Sequence, residues 1–216
     1  MTEHNFEHMR RAMVASQLRT TGVNDPRVVA AMGAVPRERF VPEQYVSAAY
    51  TDFLVPLGHG RELSSPMAIG RMLSESRLQG HEHVLVVGAA SGYSAAVAAR
   101  LAKSVVALEE QPDLAAWARD ALGGTGVEVV EGPLNQGWAA SAPYDFILID
   151  GAIEEVPQAI IDQMADGGEL AAAILDSGVP RLSVGRAVRG NFGSAAYTDS
   201  AAPVLPGFAK PRTFSF

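Results

Sequence analysis

From residue 84 onward, short wholly apolar runs alternate with alanine-rich or amphipathic stretches. Val84–Val87, Val105–Leu108, Val127–Val130, Phe146–Ile149 and Leu170–Leu175 read as strands. Ser91 to Leu101, the stretch PDLAAWARDAL from Pro112, and Pro157–Met164 read as helices. Pro112 suits a first helical turn, where its missing N–H would have no partner. Gly123, Gly124 and Gly126 close the second helix, and Gly167–Gly168 the third. Short strands apolar on both faces, alternating with helices, specify a parallel sheet covered on each side, an α/β doubly wound class. Residues 183–216 change character, with Gly, Pro, Ser and spaced aromatics such as Phe192 and Tyr197, and predict antiparallel strands closing a sheet edge. Before the sheet, Met9–Leu18 and Pro26–Met32 read as helical and Ala49–Pro66 as an ordered loop layer. The expected organisation is a layer over residues 1–80 and a sheet unit over 81–216, forming one compact body without repeats.

Composition narrows the function. Hydrophobic residues make up 48% of the 216 and charged residues 19%, enough for a sizeable core and against disorder. The net charge of −7 argues against a general nucleic-acid or anionic-membrane binder, which needs clustered cations. The chain has no cysteine, so disulfides, thiolate zinc sites and cysteine nucleophiles are excluded together. No apolar run approaches the roughly 18 residues of a membrane span, and MTEHNFEHMRR lacks the apolar stretch of a secretion signal. A cytoplasmic domain without nucleic-acid or membrane partners is expected; oligomeric state is not readable.

Directly after the first strand comes Gly88-Ala89-Ala90-Ser91-Gly92-Tyr93, leading into a helix. Such a turn lies at the carboxyl edge of a doubly wound sheet, where these folds bind ligands. Glu109 ends the second strand, about 20 residues past Gly88, the spacing at which a carboxylate accepts from both hydroxyls of a ribose. The pair points to a nucleoside-containing cofactor, against the alternative of a structural turn and a solvated strand end. Glycine is missing at Ala90 and Ser94, which disfavours a dinucleotide, and no Walker lysine follows the turn. Of the five histidines, only His4 and His8 share helical spacing; His81 and His83 read as solvated, and no metal site is expected.

The stretches QLRTTGVNDPRVVAAMGAVPRERFVP (17–42), AYTDFLVPLGHGRELSSP (49–66), VLVVGAASGYSAAVAARLA and VVALEEQPDLAAWAR together resemble the protein-L-isoaspartate O-methyltransferase family. The resemblance covers roughly residues 9–175, with VPRERFVP and AY-x-D its specific part. It implies a mostly parallel seven-stranded sheet of the S-adenosylmethionine-dependent methyltransferase type, its last strands antiparallel, under an N-terminal helical layer. Gly88, Gly92 and Glu109 match the family's cofactor-binding positions. Val86 stands where the family has an acid, and Ala90 where it has its middle glycine. Gly132-Pro133-Leu134, followed by Gly137-Trp138, replaces a Gly-Asp-Gly whose aspartate faces the adenine. The substrate loop reads Gly60-Arg61-Glu62-Leu63-Ser64-Ser65-Pro66, keeping the serine and proline but not the family's glutamine and threonine.

The resemblance implies a protein carboxyl methyltransferase that repairs isoaspartyl-containing proteins or peptides with S-adenosylmethionine. A carboxylate acceptor has an ordinary pKa of about 3.9, so it needs no general base at neutral pH; alignment and exclusion of water are the protein's task. Ser64 is the expected catalytic-site residue, holding the isoaspartyl group or its amide, with a loop-ordering hydroxyl as the alternative. Gly88, Ala90, Gly92, Tyr93, Glu109, Gly132, Pro133 and Asp150 form the expected cofactor set, with Tyr93 at the amino-acid end and Trp138 near the adenine wall. Asp150 has three readings: cofactor or substrate contact, metal ligand as in cation-dependent small-molecule O-methyltransferases, or cap of the next helix. Arg61 either draws in an anionic substrate, replaces the lost glutamine contacts, or pairs at the surface with Glu62 or Asp52. The departures at Val86, Ala90 and Pro133 keep open a non-catalytic binding protein, and Asp150 a small-molecule O-methyltransferase.

Overall fold

The computed structural model describes residues 3–210. In chain order the elements are α1 (Glu3–Met13), α2 (Pro26–Ala34), β1 (Val55–Gly58), β2 (Arg61–Leu63), α3 (Pro66–Glu75), β3 (His83–Val87), α4 (Tyr93–Ala98) and β4 (Ser104–Glu109). There follow α5 (Pro112–Ala121), β5 (Glu128–Glu131), β6 (Tyr144–Ile153), α6 (Gln158–Ile161), β7 (Met164–Asp176), β8 (Val179–Val188) and β9 (Asn191–Asp199). A π-helical turn, Val14–Leu18, continues α1.

Helix starts follow local chemistry. Asp25 accepts from the N–H groups of Arg27 and Val28 ahead of Pro26, and Ser65 accepts from Ala68 N–H ahead of Pro66. Each side chain meets a donor that the first turn would leave unpaired. The seven-stranded sheet has the order β5-β4-β3-β6-β7-β8-β9. Pairs from β5 through β7 are parallel, and β8 and β9 are antiparallel, as the run patterns and the spaced aromatics predict. The chain winds outward from β3 through β4 to β5, then crosses back to place β6 on the other side of β3. That reversal opens a crevice at the carboxyl ends of β3, β4 and β6. One sheet face packs Val84, Val86, Ala107, Phe146 and Leu148 against the N-terminal layer and α3–α5. The other packs Leu85, Val87, Leu108, Ile147 and Ile149 with Ile160, Leu205 and Phe208.

Several expectations are corrected. The layer at Ala49–Pro66 holds a β1–β2 hairpin, and α3 follows it. The helix expected over Pro157–Met164 is the single turn α6, with Met164 already in β7. Gly167 and Gly168 serve an irregularity in β7, where pairing moves from Tyr144↔Met164 to Phe146↔Glu169, rather than a helix end. The strand behaviour expected of 183–216 ends at Asp199; residues 200–210 cross the sheet edge, and 211–216 lie outside the described residues. His83 is not solvated. Its ring stacks on Tyr144 at 4.8 Å, with Nδ1 2.7 Å from Ser104 Oγ and Nε2 2.8 Å from Ser141 O.

The turn after β3 depends on one backbone conformation. Gly92 caps α4 at φ +101°, and a Cβ built there would stand 2.9 Å from Leu122 Cδ1. Gly92→Ala should therefore lower unfolding free energy by about 1–3 kcal/mol, from left-handed strain plus crowding. Urea titration of both proteins checks this, and an unchanged midpoint would contradict it.

Candidate active site

Strand register creates the site. Val87 of β3 pairs with Leu108 of β4 on one side and Ile149 of β6 on the other. The next residue of each strand therefore lies in one row at the carboxyl edge: Gly88, Glu109 and Asp150. The β1–β2 hairpin and the loop into α3 bring Arg61 and Ser64 over that row.

Glu109 is fully buried, and four donors meet its carboxylate. Oε1 accepts from Arg61 Nη1 at 3.0 Å and from the N–H groups of Glu110 and Gln111, both at 3.1 Å. Oε2 accepts from Ala90 N–H at 2.8 Å. Ala90 holds φ +52°, a left-handed conformation that favours glycine. Arg61 also donates from Nη2 to Gly88 O at 3.2 Å. It is thus neither at the surface nor paired with Glu62 or Asp52; Asp52 instead accepts from Met67 N–H. Truncating one partner of such a buried pair strands the other and typically costs about 3–5 kcal/mol.

Asp150 is 3% exposed and accepts from the Ser64 hydroxyl. It lies inside β6 and caps no helix, contrary to one of its expected readings. Among the described residues no group of three or more His, Asp or Glu side chains is placed to hold a metal ion. Burial pushes the Asp150 carboxyl above the usual range, opposed by the Ser64 and Ser94 hydroxyls and by the charges of Arg61 and Arg37. Arg37, wholly buried, fixes the loop from behind: Nε donates to Ala49 O at 2.8 Å and Nη2 to Ser64 O at 2.7 Å. Burial lowers the Arg37 pKa and raises that of Tyr93, over whose ring the guanidinium sits at 4.5 Å. Two buried cations therefore face two buried carboxylates.

The cap that orders the loop is Ser65, while the hydroxyl of the adjacent Ser64 donates to Asp150. Tyr93, expected at a ligand's end, is instead fully buried between Arg37 and Phe40. Gly132 is half-buried beside Trp138, whose nearest ring carbon lies 3.5 Å from where a Cβ on Gly132 would stand, and Pro133 is exposed. Arg37 and Leu205 escaped sequence reasoning. Arg37 sits in a quoted motif, but in the charged run Arg37-Glu38-Arg39, which gives no sign that one of its cations is buried; Leu205 lies in a segment with no pattern.

The sequence pattern of the protein-L-isoaspartate(D-aspartate) O-methyltransferase family matches residues 9–203. A protein-L-isoaspartate O-methyltransferase of Methanoculleus marisnigri is 43% identical over 168 residues, 76% of each chain. One from a Synechococcus strain is 43% identical over 175 residues, 80% of this chain and 72% of that one. A solved structure named as this methyltransferase superposes with a TM-score of 0.80 at 23% identity, covering 92% of this chain and 66% of that chain. Another, from Plasmodium falciparum in complex with S-adenosyl-L-homocysteine, gives 0.78 at 19% identity, covering 91% and 97%. At these identities the two structures speak for the fold.

The raised Asp150 pKa has a stability consequence with a definite sign. The folded protein holds this proton more tightly than the unfolded chain does. Its contribution is full below the ordinary value near 3.9 and is lost as pH rises through the folded value. As pH rises from about 4 the native chain should lose stability relative to Asp150→Asn, measured as urea midpoints of both proteins. A constant difference would contradict this.

Proposed function

The chain belongs to the protein-L-isoaspartate(D-aspartate) O-methyltransferase family, and we propose that it transfers a methyl group from S-adenosylmethionine to the free carboxylate of isoaspartyl residues in damaged proteins. The observation that carries this reading is Ser64, brought by the loop Gly60–Pro66 onto the row Gly88, Glu109 and Asp150. An acceptor-loop hydroxyl thus meets the glycine turn and the ribose-type acid at one crevice.

The residues fit an adenosyl group in type. Glu109 is a carboxylate acceptor at the distance along the chain expected for a diol, and Gly88 presents backbone to close approach. As packed, Arg61 engages that carboxylate and Leu205 covers Gly88, so the group fits only where these side chains give way. When bound, S-adenosylmethionine supplies a methyl group on a sulfonium.

The chain's own residues supply alignment. With its hydrogen given to Asp150, Ser64 Oγ is left to accept from the amide N–H of the isoaspartyl group. Arg37 holds the Ser64 backbone, and Asp150 orients the Ser64 hydroxyl by accepting from it. The isoaspartyl carboxylate is already ionised at neutral pH, so no side chain need remove a proton. Asp150 also supplies an acid at the edge where Val86 and Pro133 supply none, and we assign it to the same site. Gly92, Ala90 and Gly132 shape the turns around it. No helix among the described residues is long and apolar enough to cross a membrane. Repair of damaged proteins in the cytoplasm is the setting this reading carries.

Incubation with methyl-labelled cofactor and an isoaspartyl peptide should yield base-labile methyl ester, while the normal aspartyl isomer stays at blank. Ser64→Ala should lower kcat/KM for the peptide by about 3- to 10-fold, as expected for losing one hydrogen bond to a neutral amide. No ester above blank with the native chain would overturn the proposal.

A further inference from the structure

Two side chains at the crevice have no part in the alignment above, and they arrive from distant parts of the chain. Arg61, on β2, donates from Nη1 to Glu109 at 3.0 Å and from Nη2 to Gly88 O at 3.2 Å. Leu205 arrives on the crossover after β9. That crossover is hydrogen-bonded to the end of β6: Ala152 N–H donates to Pro203 O at 2.6 Å, and Leu205 N–H to Ala152 O at 2.9 Å. A Cβ on Gly88 would stand 3.2 Å from both Arg61 Nη2 and the Leu205 methyls, and one on Gly151 only 2.6 Å from Leu205 Cγ. The space that glycine at these positions leaves open is therefore filled by the protein itself.

We infer that Arg61 and Leu205 form a built-in plug of the nucleoside recess, so that cofactor binding is an exchange in which a ribose diol replaces the Arg61 guanidinium on Glu109. The inference rests on the function proposed above. The exchange is matched in chemistry, because guanidinium N–H groups and ribose hydroxyls both donate to the same carboxylate. Arg61 is also incompletely satisfied where it stands: its buried Nε has no hydrogen-bond partner among the described residues. At Gly88 the crossover is held by the two backbone bonds and by Leu205, whose neighbour Val204 is 63% exposed. Its far end is anchored separately by buried Phe208, by Asn135 Nδ2 donating to Gly207 O and by Lys210 N–H donating to Glu154. A recess whose open state is a minor population binds more weakly by that fraction.

Calorimetric titration of the full chain with S-adenosylhomocysteine tests the exchange, using the native protein, Arg61→Gln and Leu205→Ala. Gln keeps an amide donor for Glu109, which favours folding of that variant. Both variants should bind about tenfold or more tightly than the native chain. Hydrogen exchange on the native chain gives a readout that needs no variant: saturating ligand should release the Leu205 amide from protection. Equal affinities in all three proteins, or a Leu205 amide still protected in the saturated complex, would overturn the plug and leave the proposed function standing. Absence of binding by all three at about millimolar ligand would instead overturn the cofactor reading, and the plug with it.

Discussion

A carboxylate removed from water is tolerated only when donors surround it, and that requirement at Glu109 organises the carboxyl edge of this sheet. Three of its four donors are backbone N–H groups, from Ala90 in the glycine turn and from Glu110 and Gln111 at the entry to α5. They fix the turn after β3 relative to the end of β4. The fourth is Arg61, which belongs to the N-terminal layer. One acid thus fastens the layer to the sheet at the point where the fold places its crevice.

The fastening is repeated with different chemistry around it. Ser91 donates to Phe40 O at 2.6 Å, tying the glycine turn to the layer, and Trp117 donates to Arg39 O at 3.2 Å from α5. Arg37 ties the 49–50 segment to Ser64. These bonds act on backbone carbonyls, so they set where the loop lies without depending on its side chains. That explains how the loop can lose the family's glutamine and threonine and still present Ser64 to Asp150. The departures at the sheet follow a similar pattern. Val86 joins the apolar face opposite Leu148, while an acid stands two residues further along β6, at Asp150, on the same face.

The strand runs and the order of elements were legible because an apolar run between polar stretches has few ways to be buried. Four strands of the sheet are legible to within four residues, the fifth, β7, begins six residues before the expected Leu170, and the glycine turn and Glu109 are found by spacing alone. The β1–β2 hairpin was not legible, since GHGREL carries no alternating apolar pattern, and α6 was overestimated because Gly167–Gly168 marks a strand irregularity as readily as a helix end. His83 looked solvated for want of neighbours in the sequence; its partners Ser104, Ser141 and Tyr144 are remote along the chain.

The sequence by itself determined the doubly wound sheet, the position of its ligand edge and the family, because periodicity and spaced motifs are local properties. Tertiary structure alone decided which charges meet at that edge. Arg61 lies 48 residues from Glu109, and Ser64 lies 86 from Asp150. Whether a side chain at such separation pairs with a surface neighbour or a buried acid depends on where the sheet brings strand ends together. Leu205 shows the same limit: an unpatterned segment becomes part of the crevice only because the end of β6 offers it two free backbone groups.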